Sequence, residues 1–358
     1  MKHHLIYIFV HGLSGWGSYD IQYERMPYWG MRNGDLMKQL KEKGYECYAA
    51  SVAPHGSAHD RACELYAQLF GEVTDYGEAH AEKYGHARYG KDFRNSPLIP
   101  KLKENDKLVF FGHSFGGATI RLFADILANG RKEEGDSPFF RGGKGDLIFA
   151  LYLLAAPSTG TTAYDMYLDA SFHPEDYPFS LKERIASKMM SSNNSAKKEE
   201  MNPLDSAAYD MHIDHAIAMN ETMALDENVY YFSQPCRITE YQNGIAVPNE
   251  KACELLFLRT SKLMGRYTGT TKGGFVIDEK WKANDGLVNT ISAMYPYPQK
   301  HKPFEKDRIE PGIWNVLETM QCDHMALQGG LTHKSEVLPY YLKALEMMEA
   351  LKERGENK

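Results

Sequence analysis

Four short and almost wholly apolar runs punctuate the chain: Leu5 to Val10, Tyr45 to Val52, Leu108 to Phe111 and Asp146 to Ala156. Runs of this length, bounded by glycine and polar residues, predict buried strands rather than the alternating pattern of a half-exposed sheet. Between them the period changes. Asp35 to Lys43 reads as a helix, as does the stretch from Asp60 onward. Leu122, Phe123, Ile126 and Leu127 recur at helical spacing until Asn129-Gly130 stops the pattern. Strand, helix and strand therefore alternate as a parallel sheet requires, which predicts an α/β fold with helices on both faces. Further along, Asp205 to Asn220 predicts helix, Asn228 to Phe232 a strand, and Val337 to Glu353 an amphipathic helix that covers the sheet. The stretch from Cys236 to Thr271 has no dominant period and is left without an assignment.

The run Leu108 to Phe111 leads straight into Gly112-His113-Ser114-Phe115-Gly116 and then into the helical pattern. Strand, G-x-S-x-G and helix in that order form a nucleophile elbow with Ser114 at its tip. A hydroxyl is a poor nucleophile unless it is held clear beside a base. Small residues two before and two after permit the tight turn that does this, and the following helix presents its N-terminus. The first strand likewise ends in a Gly-rich loop, His11-Gly12-Leu13-Ser14-Gly15-Trp16-Gly17. Alone it reads equally as a simple turn; paired with the elbow it offers a second oxyanion donor, so the backbone amides of Leu13 and Phe115 are the expected pair. Downstream, Asp285 lies in a turn before an apolar stretch and His324 in a loop. Ser114, Asp285 and His324 follow the chain order of an α/β-hydrolase triad, although order alone leaves Asp278, Asp323 and His333 as alternatives.

Two segments interrupt this pattern. Asp60, His80 and His86 are oxygen and imidazole donors of types that zinc accepts, yet the six-residue step between the histidines is neither one helix face nor a standard short motif. From Tyr164 to Asn194 the chain is apolar and Met-rich, broken by Pro174 and Pro178. This fits a mobile lid or an ordinary packed helical hairpin equally well. Ser195 to Pro203 follows as a polar linker.

Composition narrows the field further. The 358 residues carry 41 Lys and Arg against 48 Asp and Glu, a net charge of -7 without a long basic run, which disfavours nucleic acid and anionic membrane surfaces as partners. Five scattered cysteines suit neither a disulfide framework nor a cysteine-based zinc site. No apolar run approaches the ~20 residues of a transmembrane helix. The opening residues, with a short apolar part and no small-residue cleavage site, read as a first strand and not as a signal peptide.

The blocks HGLSGWG at His11, YWGMRNGDL at Tyr28, DRACELYAQL at Asp60, VTDYGEAHAEKYGHARYG at Val73, GHSFGG at Gly112, GTT at Gly160 and WKANDGLVNT at Trp281 span most of the chain. Together they resemble the thermoalkalophilic bacterial lipases of the Geobacillus and Staphylococcus type. The resemblance implies an α/β-hydrolase domain over residues 1–358, with a zinc-associated insertion at 55–100 and a lid at 160–225. It implies hydrolysis of triacylglycerol esters, Ser114 as nucleophile, Asp285 as acid, His324 as base, and Leu13 and Phe115 as oxyanion donors. It also implies a structural zinc on Asp60, His80, His86 and Asp210, and secretion. Two departures stand against it. Where those lipases hold calcium, through a Glu two residues after the histidine and an Asp-Pro shortly beyond, this chain has Ala326 and Leu331-Thr332. The segment after the lid is also short, and the lid carries Glu175, Asp176, Lys182, Glu183 and Arg184, which counts against interfacial activation and favours a short-chain esterase as the rival reading. A hydrolase-fold binding protein would lack the nucleophile or the base, and neither is missing.

Overall fold

The computed structural model describes residues 3–186, 188 and 202–356. Its centre is a sheet of seven strands: β1 His4–Val10, β2 Glu46–Ala50, β3 Asp106–His113, β4 Ile148–Leu154, β5 Tyr230–Gln234, β6 His301–Pro303 and β7 Trp314–Val316. In space the order is β6, β7, β5, β4, β3, β1, β2, and every neighbouring pair is parallel. The four apolar runs of the sequence are β1 to β4; β1 and β3 extend beyond their runs, and β2 and β4 fall within theirs.

The side chains of the central strands divide between two cores. Ile6, Ile8 and Val10 of β1, with Leu108 and Phe110 of β3, enter one core; there they meet Ala62, Leu65 and Leu69 of helix α2 (Ala58–Phe70). Leu5, Tyr7 and Phe9, with Val109 and Phe111, enter the other, beside Leu36 and Leu40 of α1 (Leu36–Glu42). Two further elements complete this frame. A short helix, α3 (Glu78–Tyr84), follows α2, and the elbow helix α4 (Gly116–Asn129) packs Ile120, Phe123 and Ile126 into the first core. Sheets buried on both faces need apolar residues at every position, so these strands lack the period-two signature. Helix α1 starts at Asp35, whose carboxylate accepts the Met37 amide at 2.9 Å.

The unassigned stretch after Cys236 forms an antiparallel hairpin, Thr239–Gln242 with Ile245–Pro248, and a helix, α5 (Leu255–Met264). Where one helix was expected from Asp205 to Asn220, there are two, Ala207–Asp210 and Ile213–Thr222, each begun by its own extended cap residue. The final helix, α6 (Leu338–Glu356), lays Tyr341, Leu345 and Met348 on the second core. Among its described residues the Met-rich segment has short helical turns at Thr162–Asp165 and Pro174–Asp176 and a helical stretch over 181–186, and Tyr167, Leu168, Leu181 and Ile185 are exposed. Met189, Met190 and most of the expected linker lie outside the described residues. Among the described residues no helix is long and apolar enough to cross a membrane.

Candidate active site and metal centre

The strands β1 and β3 are neighbours in register, Val10 opposite Gly112, so the loops leaving their C-terminal ends arrive side by side. One is the Gly-rich loop and the other the elbow. Ser114 has φ of 54°, a left-handed value that a side chain adopts at a cost; it is fixed there by its amide on the Leu154 carbonyl at 2.8 Å. Gly12 passes so close beneath it that a Cβ would stand 2.7 Å from Ser114 Cβ. A Cβ on Gly116 would strike the Val10 carbonyl, which is why the turn needs glycine there.

Around Ser114 the three predicted residues come together. His324 Nε2 is 2.9 Å from Ser114 Oγ, and His324 Nδ1 is 2.9 Å from Asp285 Oδ2. All three are buried, Asp285 completely. The other Asp285 oxygen accepts the amides of Leu287 at 3.0 Å and Val288 at 2.8 Å, and the Asp285 carbonyl accepts the His324 amide at 2.9 Å. A carboxylate so placed keeps the proton on Nδ1 and leaves the Nε2 lone pair facing the hydroxyl. The alternatives are occupied elsewhere: Asp278 accepts the Lys280 amide, Asp323 those of Glu254 and Met325, and His333 lies beside Glu254. The amides of Leu13 and Phe115 have no protein acceptor among the described residues, whereas those of Ser14 and Ser114 bond to Pro54 and Leu154.

A second layer of polar groups ties the two loops together. Arg61, fully buried on α2, reaches the carbonyls of His11 and Gly12 and the Thr119 hydroxyl at 2.9 Å, and lies over the Phe115 ring. Burial holds its pKa down at about 10. His113 has Nε2 2.9 Å from the His324 carbonyl and Nδ1 2.7 Å from the Tyr28 hydroxyl, which in turn takes the Gly12 amide at 3.0 Å. A carbonyl only accepts, so His113 Nε2 carries hydrogen, Nδ1 accepts, and Tyr28 donates to it. Burial, and then the nearby His324, push the His113 pKa well below its usual value, which keeps this ring neutral.

Away from Ser114, Asp60, His80, His86 and Asp205 offer ligand atoms that all lie within 4.8 Å of one another, a group able to hold a metal ion. Asp210, expected as the fourth ligand, is not among them. Its carboxylate turns to the N-terminus of α2, accepting the Ala58 amide at 2.7 Å, and pairs with His215 at 3.1 Å. The N-terminus of a helix carries unpaired amides and partial positive charge, so it competes well for this acid. Asp205, one residue before the cap Ser206, takes the expected place.

The cluster fits an ion on its own geometry. Asp60 Oδ1, His80 Nε2, His86 Nε2 and Asp205 Oδ1 are buried and have no hydrogen-bond partner. Four of the separations between carboxylate oxygens and ring nitrogens are 3.2, 3.2, 3.3 and 4.0 Å. Ligands ~2 Å from a tetrahedral centre stand about 3.3 Å apart. The His86 Nδ1 faces the Ala87 carbonyl at 2.9 Å, which leaves Nε2 free as a ligand. The backbone arranges the donors: Ser57 caps α2 and sets Asp60 in its first turn, while Gly85 ends α3 in a left-handed turn that brings His86 back.

Fold and site together define the class as α/β-hydrolases, with a serine, a histidine and an acid at the loops where that fold carries its chemistry. The chain belongs to the family described as lipase-like, C-terminal domain, whose model matches residues 3–175 and 179–335. It is 30% identical to the lipase of Staphylococcus hyicus over 97% of this chain and 58% of that protein. Among solved structures it is similar to EstA from Clostridium botulinum, with TM-score 0.83 and 29% identity over 97% of this chain and 87% of that one. It is similar also to the S. hyicus lipase, with TM-score 0.79 and 28% identity over 99% and 97%. The chain thus spans between half and three fifths of the full length of the curated relatives it matches.

Proposed function

We propose that this protein is a serine carboxylic-ester hydrolase of the lipase type, acting on triacylglycerol esters. One observation carries the reading: the buried line from Ser114 Oγ through the His324 ring to Asp285, with both links 2.9 Å. His324 takes the Ser114 proton as Oγ attacks the ester carbonyl, and Asp285 stabilises the imidazolium that forms. The Leu13 and Phe115 amides receive the negative charge on the carbonyl oxygen, a contribution of about 3 to 4 kcal/mol per donor in comparable sites. His324 then protonates the departing alcohol, which leaves an acyl group on Ser114. Water, activated by the same histidine, releases the acid and restores the serine.

Asp60, His80, His86 and Asp205 would hold a zinc ion. With two carboxylates and two imidazoles as ligands, such an ion would cross-link the α2–α3 region to the segment before Ala207 and serve a structural role.

The segment expected as a lid bears on two substrate classes. Exposed Leu168, Leu181 and Ile185 suit contact with an aggregated lipid. A short-chain esterase is favoured instead by the ion pair between buried Glu183 and Lys262 of α5, 2.7 Å long, which ties this segment to α5. Hydrolysis of esters from short and soluble to long and emulsified, by the native protein and Ser114→Ala side by side, separates them. Long-chain activity that vanishes in the variant is the expected result. Activity confined to short chains would reassign the substrate, and activity retained in Ser114→Ala would refute the mechanism.

A further inference from the structure

The loop that carries His324 lacks the two carboxylates through which the family resemblance implies calcium, with Ala326 and Leu331-Thr332 in their places. A calcium ion takes six to eight oxygen ligands. Ala326 and Leu331 bring none on their side chains, and the buried carboxylates beside them, Glu254 and Asp323, are already engaged by hydrogen-bond donors. Glu254, 1% exposed, occupies the residue before α5. Its Oε1 accepts the backbone amides of Leu331 at 2.7 Å, Thr332 at 2.6 Å and His333 at 3.0 Å, and its Oε2 accepts the Thr332 hydroxyl. A cation brought here would meet hydrogen-bond donors instead of lone pairs.

The same residue grips the loop a second time. The Glu254 amide donates to Asp323 Oδ2 at 2.8 Å, and Asp323 Oδ1 accepts the Met325 amide at 3.1 Å. One glutamate therefore holds residue 323, immediately before His324, through its backbone, and residues 331–333 through its side chain. Between these anchors the chain closes on itself through the Gly330 amide and the Met325 carbonyl, 2.9 Å apart, and Met325 packs against the cluster of Ile238, Cys253, Phe257 and Leu258. Phe257, on the first turn of α5, turns its ring edge to the His324 ring. Burial alone would raise the Glu254 pKa; the Thr332 hydroxyl and the amides of 331–333 outweigh it and hold the carboxyl below the ordinary glutamate value.

We infer that Glu254 is a positioning residue for the base His324, and that its grip on residues 323 and 331–333 makes this hydrolase independent of calcium. The inference rests on the triad reading above. Four donors on one carboxylate fix a loop as a bound cation does, by drawing distant segments to one centre, and the charge needed is supplied by the chain itself.

The test uses the full chain, zinc-replete and freed of calcium. Calcium is titrated in while kcat and the melting temperature are read, with Ser114→Ala as the control that establishes the triad. Neither quantity is expected to change; a saturable rise in either would overturn the inference. Glu254→Gln then keeps the shape but sets an amide group against amide donors. With active sites counted by phosphonate labelling of Ser114, kcat per labelled site is expected to fall about 10- to 100-fold while KM moves less than about two-fold, since only the base is misplaced. Thr332→Val, at an exposed position, removes one donor and is expected to lower kcat about 3-fold by the same measure. An unchanged kcat per labelled site in the glutamine variant, or in the valine variant if the former does not fold, would overturn it. Loss of all activity in the native protein would instead refute the triad reading.

Discussion

Asp205 Oδ1 lies 3.2 Å from His80 Nε2, bringing the turn before the Ala207–Asp210 helix against α3. This proximity places Asp205, and not Asp210, in the cluster proposed to hold a metal. Asp205→Ala is expected to reduce zinc retained after purification from about one per chain to a small fraction, and to lower the melting temperature. Asp210→Asn should retain the metal and lose about 1 to 2 kcal/mol, because the α2 amide it serves is left with a weaker acceptor. Metal analysis of both variants distinguishes them. Zinc lost from Asp210→Asn but kept in Asp205→Ala would reverse the assignment.

Asp285→Asn should preserve the fold, since an amide fills the same space. It should also favour the wrong ring tautomer of His324, so kcat is expected to fall by about 10⁴-fold, as for the equivalent change in other triads. Steady-state kinetics on any accepted ester, with circular dichroism to verify folding, is sufficient. A fall below about 10-fold would remove Asp285 from the role of acid.

The chain from the Gly12 amide through Tyr28 and His113 to the His324 carbonyl predicts a separate effect. Tyr28→Phe removes only the hydroxyl and leaves His113 Nδ1 and the Gly12 amide without partners. We expect kcat lowered about 10-fold with KM nearly unchanged, because the link connects the oxyanion loop to the base and touches no substrate. A change in KM alone would mean that Tyr28 lines the binding cleft.

Burial first, and then nearby Glu254 and Asp285 charge, hold the Asp323 pKa up at about 6, against an ordinary value of 3.8. The folded protein thus binds this proton more tightly than the unfolded chain. Its contribution to stability is fully present below about pH 4, declines as pH rises, and is lost above about pH 6. Asp323→Asn cannot titrate. Whatever its constant cost, its stability relative to the native protein should improve from about pH 4 to about pH 7, by roughly 2 to 3 kcal/mol. Urea melts at the two ends of that range test this; a difference independent of pH would refute it.

What the sequence discloses and what it hides have physical causes. Strands β1 to β4 are buried on both sides, and an unbroken apolar run cannot be confused with much else. Ser114 is marked by the small residues its turn requires, and Asp285 and His324 by their order and a family likeness. Asp205 is not marked. It closes a turn, its amide on the Asn202 carbonyl, and its proximity to His80 comes from the packing of the Ala207–Asp210 region on α2, which no local pattern encodes, while Asp210 lies in a motif of the resemblance but serves a helix end. Glu254 is hidden for a similar reason: its partners at 331–333 are backbone amides, which any residue supplies. The split of Asp205 to Asn220 into two helices turns on the extended backbone of His212, a position without a proline or glycine to announce it.

The register of β1 against β3 reaches beyond the placement of two loops. Since the proposed oxyanion donors are main-chain amides fixed by strand pairing, the side chains of Leu13 and Phe115 are not needed to make them. Leu13, partly buried against the first core, is therefore a position where a small library is expected to alter acyl selectivity without rebuilding the proposed catalytic apparatus.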